Sequence, residues 1–506
     1  MTALFLAAVA LAADAETTVA DAEAEPGELT VDATFSTEGF ASNDLDFKPL
    51  DNTSDQAILD SDDAARFAVT GIALDLAWRP HPHASLLVAA SHRGLWGSDQ
   101  IGKVDPFGGF LYVQRLALEL RTAADGGVVT TIGRMPFSIG GLQGAPDYVW
   151  SDTIDAVRID IPLGDFGSVI AIPVDVVAGS TDIDGADFVS FVGQSTDPTY
   201  DFDGKTVTHR HALVVRLDGL PAKLDLTPYG AFTGVGAGGS GSDISYDGLL
   251  GNASDNDWVA NAGLRASIEV GPVRPWLTFD TSTGIDRQAA TTQDIDCNGV
   301  AFGGGARLAT GEDHHVAADL AFFDAIGGAF DTKGIAYSHG YVGMKGAHTG
   351  GVIFNRFLGL HPTAYVGVGG VQDNPQDRER KAGTRTLHAS ALWRWSKGPS
   401  VKASWWFLSD RAVSFVDPAD VESLTPPFGI ARESIAAQTR LGDSLGHEID
   451  LQLGWRFEPV DVWLTGATVA GANFYETPID RVAGDALGSA AGATPWLASL
   501  GLETRF

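Results

Sequence analysis

Apolar and polar residues alternate along most of the chain, in segments of about ten residues that recur from the N-terminal region to the last residue. In Trp258–Val270 every second residue from Trp258 onward is apolar, and the positions between them include Arg265 and Glu269. Glu448–Phe457 repeats this pattern. An amphipathic helix would place its apolar residues three and four positions apart. A period of two therefore predicts many β-strands, each with one apolar and one polar face.

The segments that connect these strands alternate between short and long. The short turns are predicted at Pro80–Pro82, Ala124–Gly127, Gly164–Gly167, Gly219–Pro221, Gly271–Pro272, Gly311–Asp313, Ser396–Pro399 and Glu458–Pro459. The long polar segments are Ala41–Asp63, Thr181–Thr206, Ala237–Asp257, Gly284–Asn298, Gln372–Gly383, Asp410–Leu445 and Gly471–Ala493. Outer-membrane barrels have short periplasmic turns and long external loops. A soluble β-sandwich has no reason to sort its connections by length, so the alternation favours a membrane barrel.

The number of strands follows from pairing each short turn with its two strands. With a first strand near Leu29–Phe40 and a last strand ending at Phe506, the count is about 20, or 18 if the doubtful pair around Tyr337–Phe357 does not form. After the N-terminus no stretch of about 18 apolar residues could form a transmembrane helix. A closed sheet is the remaining way to satisfy every backbone group in lipid. The sequence predicts an all-β protein, a single transmembrane antiparallel up-and-down β-barrel of about 18–20 strands with both termini in the periplasm.

Aromatic residues are predicted near both ends of the strands. Those at the turn ends are Trp78, Trp395, Trp455 and Phe457, and those at the loop ends are Phe279, Phe302, Phe322 and Phe407. Two aromatic girdles, one at each lipid–water boundary, are typical of membrane barrels.

The chain ends on an aromatic residue. Phe506 shares one face of the last strand with Leu500, Leu502 and Thr504. This ending resembles the signal that the outer-membrane assembly machinery reads, although Thr504 stands where an apolar residue is usual. We predict that Phe506 is an assembly signal and that the assembly machinery and the lipid bilayer are partners of the chain.

The first residues resemble an export signal. Thr2–Ala13 is small and apolar, and Ala13-Asp14-Ala15 is a candidate cleavage site. The basic n-region is missing, which leaves open whether the signal is truncated at its start. We interpret residues 1–15 as a signal peptide, residues 16–28 as an acidic, disordered N-terminus and residues 29–506 as the barrel. Export and a membrane barrel together predict the outer membrane of a Gram-negative bacterium.

Composition and motifs exclude several function classes. The net charge is −32 and the isoelectric point is about 4.5, which argues against nucleic-acid binding. Cys297 is the single cysteine and cannot form an internal disulfide. We find no nucleophile elbow, metalloprotease helix, phosphate-binding loop or dinucleotide fingerprint. The sequence therefore predicts no catalytic residues, no cofactor and no enzymatic activity.

Two kinds of residue could bind a metal ion. Asp182, Asp184 and Asp187, and likewise Asp201 and Asp203, could bind Ca²⁺ in an external loop, but the full twelve-residue calcium loop is absent. The histidines that stand in pairs are His81 and His83, His209 and His211, and His314 and His315. They lack the further ligands of a zinc site. Solubilising acids and ordinary strand or turn histidines are the preferred interpretation, so no metal site is predicted.

Charged residues that alternate with lipid-facing ones should point into the lumen. At the midplane, an arginine or lysine that faces lipid costs about 2–4 kcal/mol. The predicted lumen-lining residues are Arg115, Glu119, Arg158, Asp160, Arg216, Asp225, Arg265, Glu269, Asp280, Arg307, Asp319, Arg394, Asp450, Arg456, Glu503 and Arg505. They either line a water-filled path of mixed charge or pair with each other inside a plugged barrel. The first is preferred, because side chains alone do not fill so wide a lumen.

One segment carries a family resemblance. Gly133-Arg134-Met135-Pro136 is followed by Asp147-Tyr148 and then by Ser151-Asp152-Thr153-Ile154-Asp155-Ala156-Val157-Arg158. This resembles a poorly characterised family of large Gram-negative outer-membrane barrel proteins and, more distantly, the alginate-export type of porin. Phe137–Gly140 and Val149-Trp150 depart from the expected pattern. The resemblance implies a barrel and leaves the substrate open.

The pattern favours a porin-like channel for passive diffusion of small hydrophilic solutes, ions or short sugar polymers. Two alternatives remain open, a barrel whose long loops serve adhesion or ligand binding and a barrel enzyme acting on lipids. Two long connections, Pro136–Trp150 and Asp410–Leu445, are candidates for folding into the pore. Acidic loops predict a mild cation preference, whereas arginines gathered at one constriction would favour anions. Oligomeric state is not predicted.

Overall fold

The computed structural model describes the wall of the protein and several segments inside it. The described residues are 27–43, 64–96, 110–123, 126–140, 147–178, 207–235, 258–286, 295–310, 314–327, 329–330, 336–338, 340–344, 350–356, 364–365, 384–395, 398–411, 444–471 and 495–506. The predicted signal peptide, most of the acidic N-terminus and most of the long polar segments lie outside these residues.

Eighteen long strands form the wall within the described part of the chain. They are β1 (Leu29–Asn43), β2 (Ala64–His81), β3 (Ala84–Trp96), β4 (Phe110–Arg121), β5 (Val129–Ser138), β6 (Ser151–Pro162), β7 (Ser168–Ala178), β8 (Val207–Leu220), β9 (Leu224–Val235), β10 (Trp258–Ile268), β11 (Val273–Asp286), β12 (Gly299–Thr310), β13 (His314–Ala325), β14 (Thr384–Trp395), β15 (Pro399–Asp410), β16 (Ser444–Phe457), β17 (Val460–Ala470) and β18 (Trp496–Arg505).

Short elements lie between these strands. Two 3₁₀ turns occupy Gly164–Phe166 and Pro221–Lys223, and one helical turn, α1, occupies Ile353–Arg356. The short strand segments are Ile295–Asp296, Ala329–Phe330, Ala336–Ser338, Val342–Gly343 and Ala364–Tyr365. None of the helices in the described ranges is long and apolar enough to cross a membrane.

Each long strand pairs antiparallel with the next, and the first pairs with the last. The closing ladder runs from Thr34 opposite Arg505 to Asn43 opposite Trp496. β13 pairs directly with β14, so the doubtful segment 337–357 adds no strand to the wall. The prediction of an antiparallel barrel is confirmed, with 18 strands as the lower of the two predicted numbers.

The close approach of β4 and β5 requires a glycine at position 133. Gly133 in β5 has a backbone φ of +121°, a conformation that L side chains rarely adopt. A Cβ atom at this position would lie 2.3 Å from the carbonyl oxygen of Leu116 in β4. Any larger residue would therefore push β4 and β5 apart.

The outer surface of the barrel is apolar. Alternate residues of the strands leave large hydrophobic side chains exposed, for example Leu116 and Leu118 in β4 and Ile449 and Leu451 in β16. Exposed aromatic residues at strand ends include the predicted girdle residues Trp78, Trp395, Trp455, Phe457 and Phe302. Phe279 is also exposed but lies in the middle of β11, because this strand extends beyond the predicted girdle level, and Phe322 and Phe407 are only half-exposed. Such a surface is unstable in water and matches a lipid environment.

A second apolar region lies inside the barrel. Inward-facing side chains from β5 to β9 and from β12 and β13 pack with residues of two inserted segments, one around Trp150 and one around Tyr341. Its largest buried side chains include Trp150, Tyr341, Ile154 and Ile170. The barrel therefore contains a packed inner cluster in addition to its lipid-facing surface.

Candidate channel lumen

The first inserted segment comprises residues 147–150, which follow β5 and precede β6. The Asp147 carboxylate accepts hydrogen bonds from the Ser138 hydroxyl at 2.7 Å and from the backbone N–H of Gly140 at 2.9 Å. It also accepts the backbone N–H groups of Val149 and Trp150, both at 3.2 Å. One carboxylate thus fixes the turn. Of the two candidate inward connections, the described part of 136–150 folds into the barrel, while almost all of 410–445 lies outside the described residues.

A buried arginine joins this segment to another part of the wall. Arg265 of β10 lies 3.0 Å from the Asp147 carboxylate and 3.6 Å from the carboxylate of Asp280 in β11. Asp280 also accepts hydrogen bonds from the Tyr229 hydroxyl at 2.7 Å and the Thr278 hydroxyl at 2.8 Å. The Arg265 guanidinium stacks over the Tyr229 ring, 5.0 Å from its centroid. Because these side chains are buried, each charge is stabilised by its ion-pair and hydrogen-bond partners instead of by water.

The second inserted segment, residues 340–344, belongs to the connection between β13 and β14. The backbone N–H of Met344 donates to the carbonyl oxygen of Val149 at 2.9 Å, which joins the two segments. Val342 donates its N–H to the Ser282 hydroxyl at 3.1 Å, and its carbonyl oxygen accepts the Asn261 amide at 2.7 Å. Polar side chains of the wall therefore satisfy the backbone of a strand-like segment inside the barrel.

Arg210 of β8 links both segments to the wall. Its Nη1 donates to Asp152 at 3.2 Å and to the carbonyl oxygen of Met344 at 3.3 Å. Its guanidinium also lies over the Trp150 ring, 5.4 Å from the centroid. This arginine is buried and acts as a second tie between the inserted segments and the barrel.

The same connection is anchored once more, on the other side of the barrel. The carboxylate of Glu448 in β16 accepts the backbone N–H groups of Ile353 at 2.5 Å and Phe354 at 2.8 Å, at the start of α1. Gly351, with a φ of +94°, lies against the same carboxylate. Two residues along β16, the Asp450 carboxylate accepts a hydrogen bond from the Ser404 hydroxyl at 3.0 Å. The inserted segments thus have attachments on β8, β10, β11 and β16.

Many of the predicted lumen residues pair with a neighbouring charge. Three pairs join residues two positions apart on one strand, at distances of 2.7–2.9 Å: Glu119 with Arg121, Arg158 with Asp160 and Glu503 with Arg505. Two pairs join neighbouring strands, Arg307 with Asp319 at 3.8 Å and Arg456 with Asp461 at 2.9 Å. A third pair, Asp225 of β9 with Arg274 of β11 at 3.4 Å, reaches across β10. These pairs form a wall of alternating charge that carries little net charge of its own.

Three predicted lumen residues, described next, lie outside these ion pairs. Arg216 donates to the carbonyl oxygen of Ser138 at 2.8 Å, beside the first inserted segment. Arg115 lies within electrostatic reach of Asp75 in β2. Arg394 is exposed near the turn end of β14.

Glu269 lies beyond the end of β10, at a short turn. It accepts a hydrogen bond from the Lys223 ammonium at 2.6 Å, and this bond lowers the pKa of the Glu269 carboxyl. Both side chains are exposed, which places this pair at the rim of the barrel.

Several residues of the site were absent from the predicted set. They are Asp147, Asp152, Arg210, Tyr229 and Glu448. Arg210 and Glu448 stand at alternate positions of their strands and the alternation could have identified them. Asp147 and Asp152 belong to the segment that carries the family resemblance, but their partners on β8 and β10 depend on the path of the connection.

Arg134, the arginine of the Gly133–Pro136 motif, faces away from the lumen. Arg134 forms two hydrogen bonds with Asp155 across β5 and β6, at 2.6 and 2.9 Å. Arg134 alternates with the buried Met135 and stands two positions from the exposed Ile132, so this pair lies on the outer face.

The described ranges contain no group of three or more His, Cys, Asp or Glu side chains that could hold a metal ion. Asp182, Asp184, Asp187, Asp201 and Asp203 lie outside them.

The chain is similar to solved outer-membrane proteins, whereas no protein-family model and no curated protein matches it. The outer membrane protein OpdK from Pseudomonas aeruginosa has 11% identity and a TM-score of 0.46, over 95% of this chain and 98% of that one. OccK2 (OpdF) of Pseudomonas aeruginosa, in complex with glucuronate, has 10% identity and a TM-score of 0.45, with coverage of 95% and 98%. OccAB2 of Acinetobacter baumannii has 10% identity and a TM-score of 0.47, with coverage of 95% and 98%. With 10–11% identity and TM-scores below 0.5, these similarities assign neither a family nor a solute to this chain.

Proposed function

We propose that the chain is a passive channel of the Gram-negative outer membrane for small hydrophilic solutes, ions or short sugar polymers. The observation that carries this proposal is the pair of inserted segments, 147–150 and 340–344, joined to each other and tied to the wall by Arg265 and Arg210. A barrel of this strand number encloses a lumen too wide for side chains to fill. Anchored segments narrow such a lumen to a fixed path, which is how a wide barrel discriminates among solutes.

The charged rows support permeation by polar solutes. Side chains that pair within a row present both donors and acceptors to a passing molecule, as do Arg158 with Asp160 and Glu503 with Arg505. Permeation needs contacts that are favourable enough for entry and weak enough for release. Paired charges meet both requirements, because each charged group already forms a hydrogen bond with its partner and therefore binds a passing solute less strongly.

Single-channel conductance in a planar bilayer tests the proposal. The purified, folded protein should give stepwise currents in KCl. A folded protein that inserts and gives no current would contradict it, and would favour either the plugged scaffold or a barrel that binds ligands through its long loops.

The ion preference is expected to be a mild preference for cations at low salt that fades as salt rises. Arginines Arg158, Arg210 and Arg265 near the inserted segments have carboxylate partners, so the wall alone should discriminate weakly. The Asp-rich segments near 182–187 and 286–296, most of whose residues lie outside the described ranges, would concentrate cations within a Debye length of about 8–10 Å. Reversal potentials under a KCl gradient measure this, and an anion-selective sign at low salt would favour the arginine-constriction alternative.

The two ends of the barrel should differ in protease accessibility. Protease added to intact cells should cut within Thr181–Thr206 or Asp410–Leu445 and spare the turn Ser396–Pro399, which is placed in the periplasm. Mass spectrometry of the released peptides locates the cuts. Cleavage at the turn in intact cells, with the long segments spared, would reverse the topology.

Deletion of Phe506 should lower assembly in the outer membrane. Phe506 closes the barrel seam through its backbone, donating to the carbonyl oxygen of Ala33 at 2.9 Å, while its side chain is 75% exposed and available for recognition. Heat-modifiable migration on gels measures the folded fraction in cells. Replacement by tyrosine, which keeps a terminal aromatic ring, is the matched control, and an unchanged folded fraction after the deletion would count against the signal.

A further inference from the structure

A charged group on the outer face of the barrel has no part in the channel. Asp324 near the end of β13 accepts hydrogen bonds from Nε of Arg385 at 3.1 Å and Nη2 of Arg385 at 2.8 Å. It accepts a third, at 2.8 Å, from Nε of Arg411, which follows β15. We call these three residues the outer arginine cluster. Its two guanidinium groups and one carboxylate leave a formal charge of +1.

The strand register shows that this cluster faces outward. Asp324 stands opposite Phe302 on one side and Arg385 on the other. Directly opposite residues of antiparallel strands share a face of the sheet. Phe302 is one of the large exposed residues of the outer surface, and so is Leu320, which stands four positions before Asp324 on the same face. The cluster therefore belongs to the surface that contacts lipid.

The cluster lies near the upper end of the apolar band. The row immediately below it consists of Phe322, Leu387 and Phe407, which stand opposite one another on β13, β14 and β15. His447 of β16 stacks on Phe407, with ring centroids 4.7 Å apart. In outer-membrane barrels, girdles of aromatic side chains flank the apolar band at both membrane interfaces. The arginines are consequently at headgroup level, at the end of the barrel that carries the long connections.

The arginines are held in place and are still accessible. The Asp324 side chain is 4% exposed, whereas those of Arg385 and Arg411 are 40% and 36% exposed. The bonds to Asp324 use Nε of both arginines and one terminal nitrogen of Arg385, so the other three terminal nitrogens take no part in these bonds. A guanidinium fork fits the oxygens of a phosphate group, and the buried carboxylate restricts both forks to one orientation.

We infer that the outer arginine cluster binds a phosphate group on the headgroup of an outer-leaflet lipid, with the acyl chains lying along the apolar row beneath. The net positive charge favours an anionic ligand, and the position at the girdle selects one that is anchored in the membrane. This inference rests on the proposed outer-membrane location and is independent of solute passage through the lumen.

Lipid titration followed by native mass spectrometry tests the inference. The folded wild-type protein in non-ionic detergent is titrated with lipid A in its diphosphorylated and phosphate-free forms. The phosphorylated form should bind at least about tenfold more tightly, the size of effect that a charge-assisted hydrogen bond gives. Equal binding of the two forms would overturn the inference without any variant being needed.

A variant that lacks all three charges of the cluster locates the site. Asp324→Asn, Arg385→Gln and Arg411→Gln together remove the cluster without leaving a single charge behind, and should weaken binding of the phosphorylated form about tenfold. The matched control is Arg134→Gln with Asp155→Asn, the other outward ion pair, which should bind as the wild type does. Heat-modifiable migration checks folding of both.

Two further outcomes would contradict a lipid site. Inorganic phosphate that competes at the same concentration as the lipid would indicate a general anion site. A wild-type oligomer that dissociates in the cluster variant would indicate that a second copy of the chain covers this surface. Conductance of the cluster variant should equal that of the wild type, which separates failure of this inference from failure of the proposed channel.

Discussion

Replacement of Arg265 by methionine should increase single-channel conductance and lower the free energy of unfolding by about 3–5 kcal/mol. Arg265 is the buried cation between Asp147 and Asp280, at 3.0 and 3.6 Å. Methionine preserves the apolar stem and removes the charge, which leaves two buried carboxylates close together. Asp147 also fixes the turn of the first inserted segment, so its release should move that segment off the wall and widen the path.

Urea unfolding in lipid vesicles and single-channel recording measure the two effects. The matched control is Arg456→Met, because the Arg456 side chain that pairs with Asp461 is 55% exposed. An exposed pair contributes up to about 1 kcal/mol, so this control should unfold and conduct nearly as the wild type does. Unchanged conductance in a folded Arg265→Met protein would show that the inserted segment does not limit the current.

Replacement of Glu448 by alanine should release the second attachment of the inserted connection. The Glu448 carboxylate accepts the backbone N–H groups of Ile353 and Phe354, and each buried N–H left without a partner costs about 1–3 kcal/mol. The expected loss of stability is therefore about 2–6 kcal/mol. Conductance should increase or become noisy, as residues 350–356 move in the lumen.

Two further variants sharpen this test. Glu448→Gln keeps one oxygen acceptor, and should show a smaller loss of stability than the alanine variant. Glu503→Ala removes a carboxylate whose partner, Arg505, is exposed, and should have little effect. Equal effects of Glu448→Gln and Glu448→Ala would argue that charge, rather than the two backbone hydrogen bonds, is what the position supplies.

The wall of the barrel could be predicted because its determinants are local. Turns such as Gly271–Pro272 and Glu458–Pro459 interrupt an alternating pattern that each strand carries by itself, and the structure places strand ends at both. The segment around Tyr341 shows the limit of this reasoning. Its short alternating stretch resembles a strand, yet Tyr341 and Val342 are buried inside the barrel, held by Ser282 and Asn261. Alternating apolar and polar residues indicate that a segment has two different faces. They do not show whether lipid, water or another part of the protein covers each face.

The sequence could identify which residues face the lumen, but it could not predict which of them contact each other. Arg265 and Asp280 follow from strand periodicity, whereas their contact with Asp147 requires the chain to return into the barrel after β5. Outward charges were also missed. Arg134, Asp155, Asp324 and Arg385 occupy the lipid-facing parity, where a charge is expensive unless it is paired or lies at headgroup level. Whether a partner meets it depends on the neighbouring strand.

The inner apolar cluster has a mechanical consequence. Its wall residues come from β5 to β9 and from β12 and β13, so this arc of the wall is supported on its inner side by close-packed side chains that resist compression. The arc formed by β17, β18 and β1 to β4 contributes no residue to that cluster among the described residues. Thermal changes in the cross-section should therefore be taken up by this second arc, which includes the seam between the first and last strands. We therefore expect the cross-section of the barrel to change more along this second arc than along the arc that carries the inner cluster.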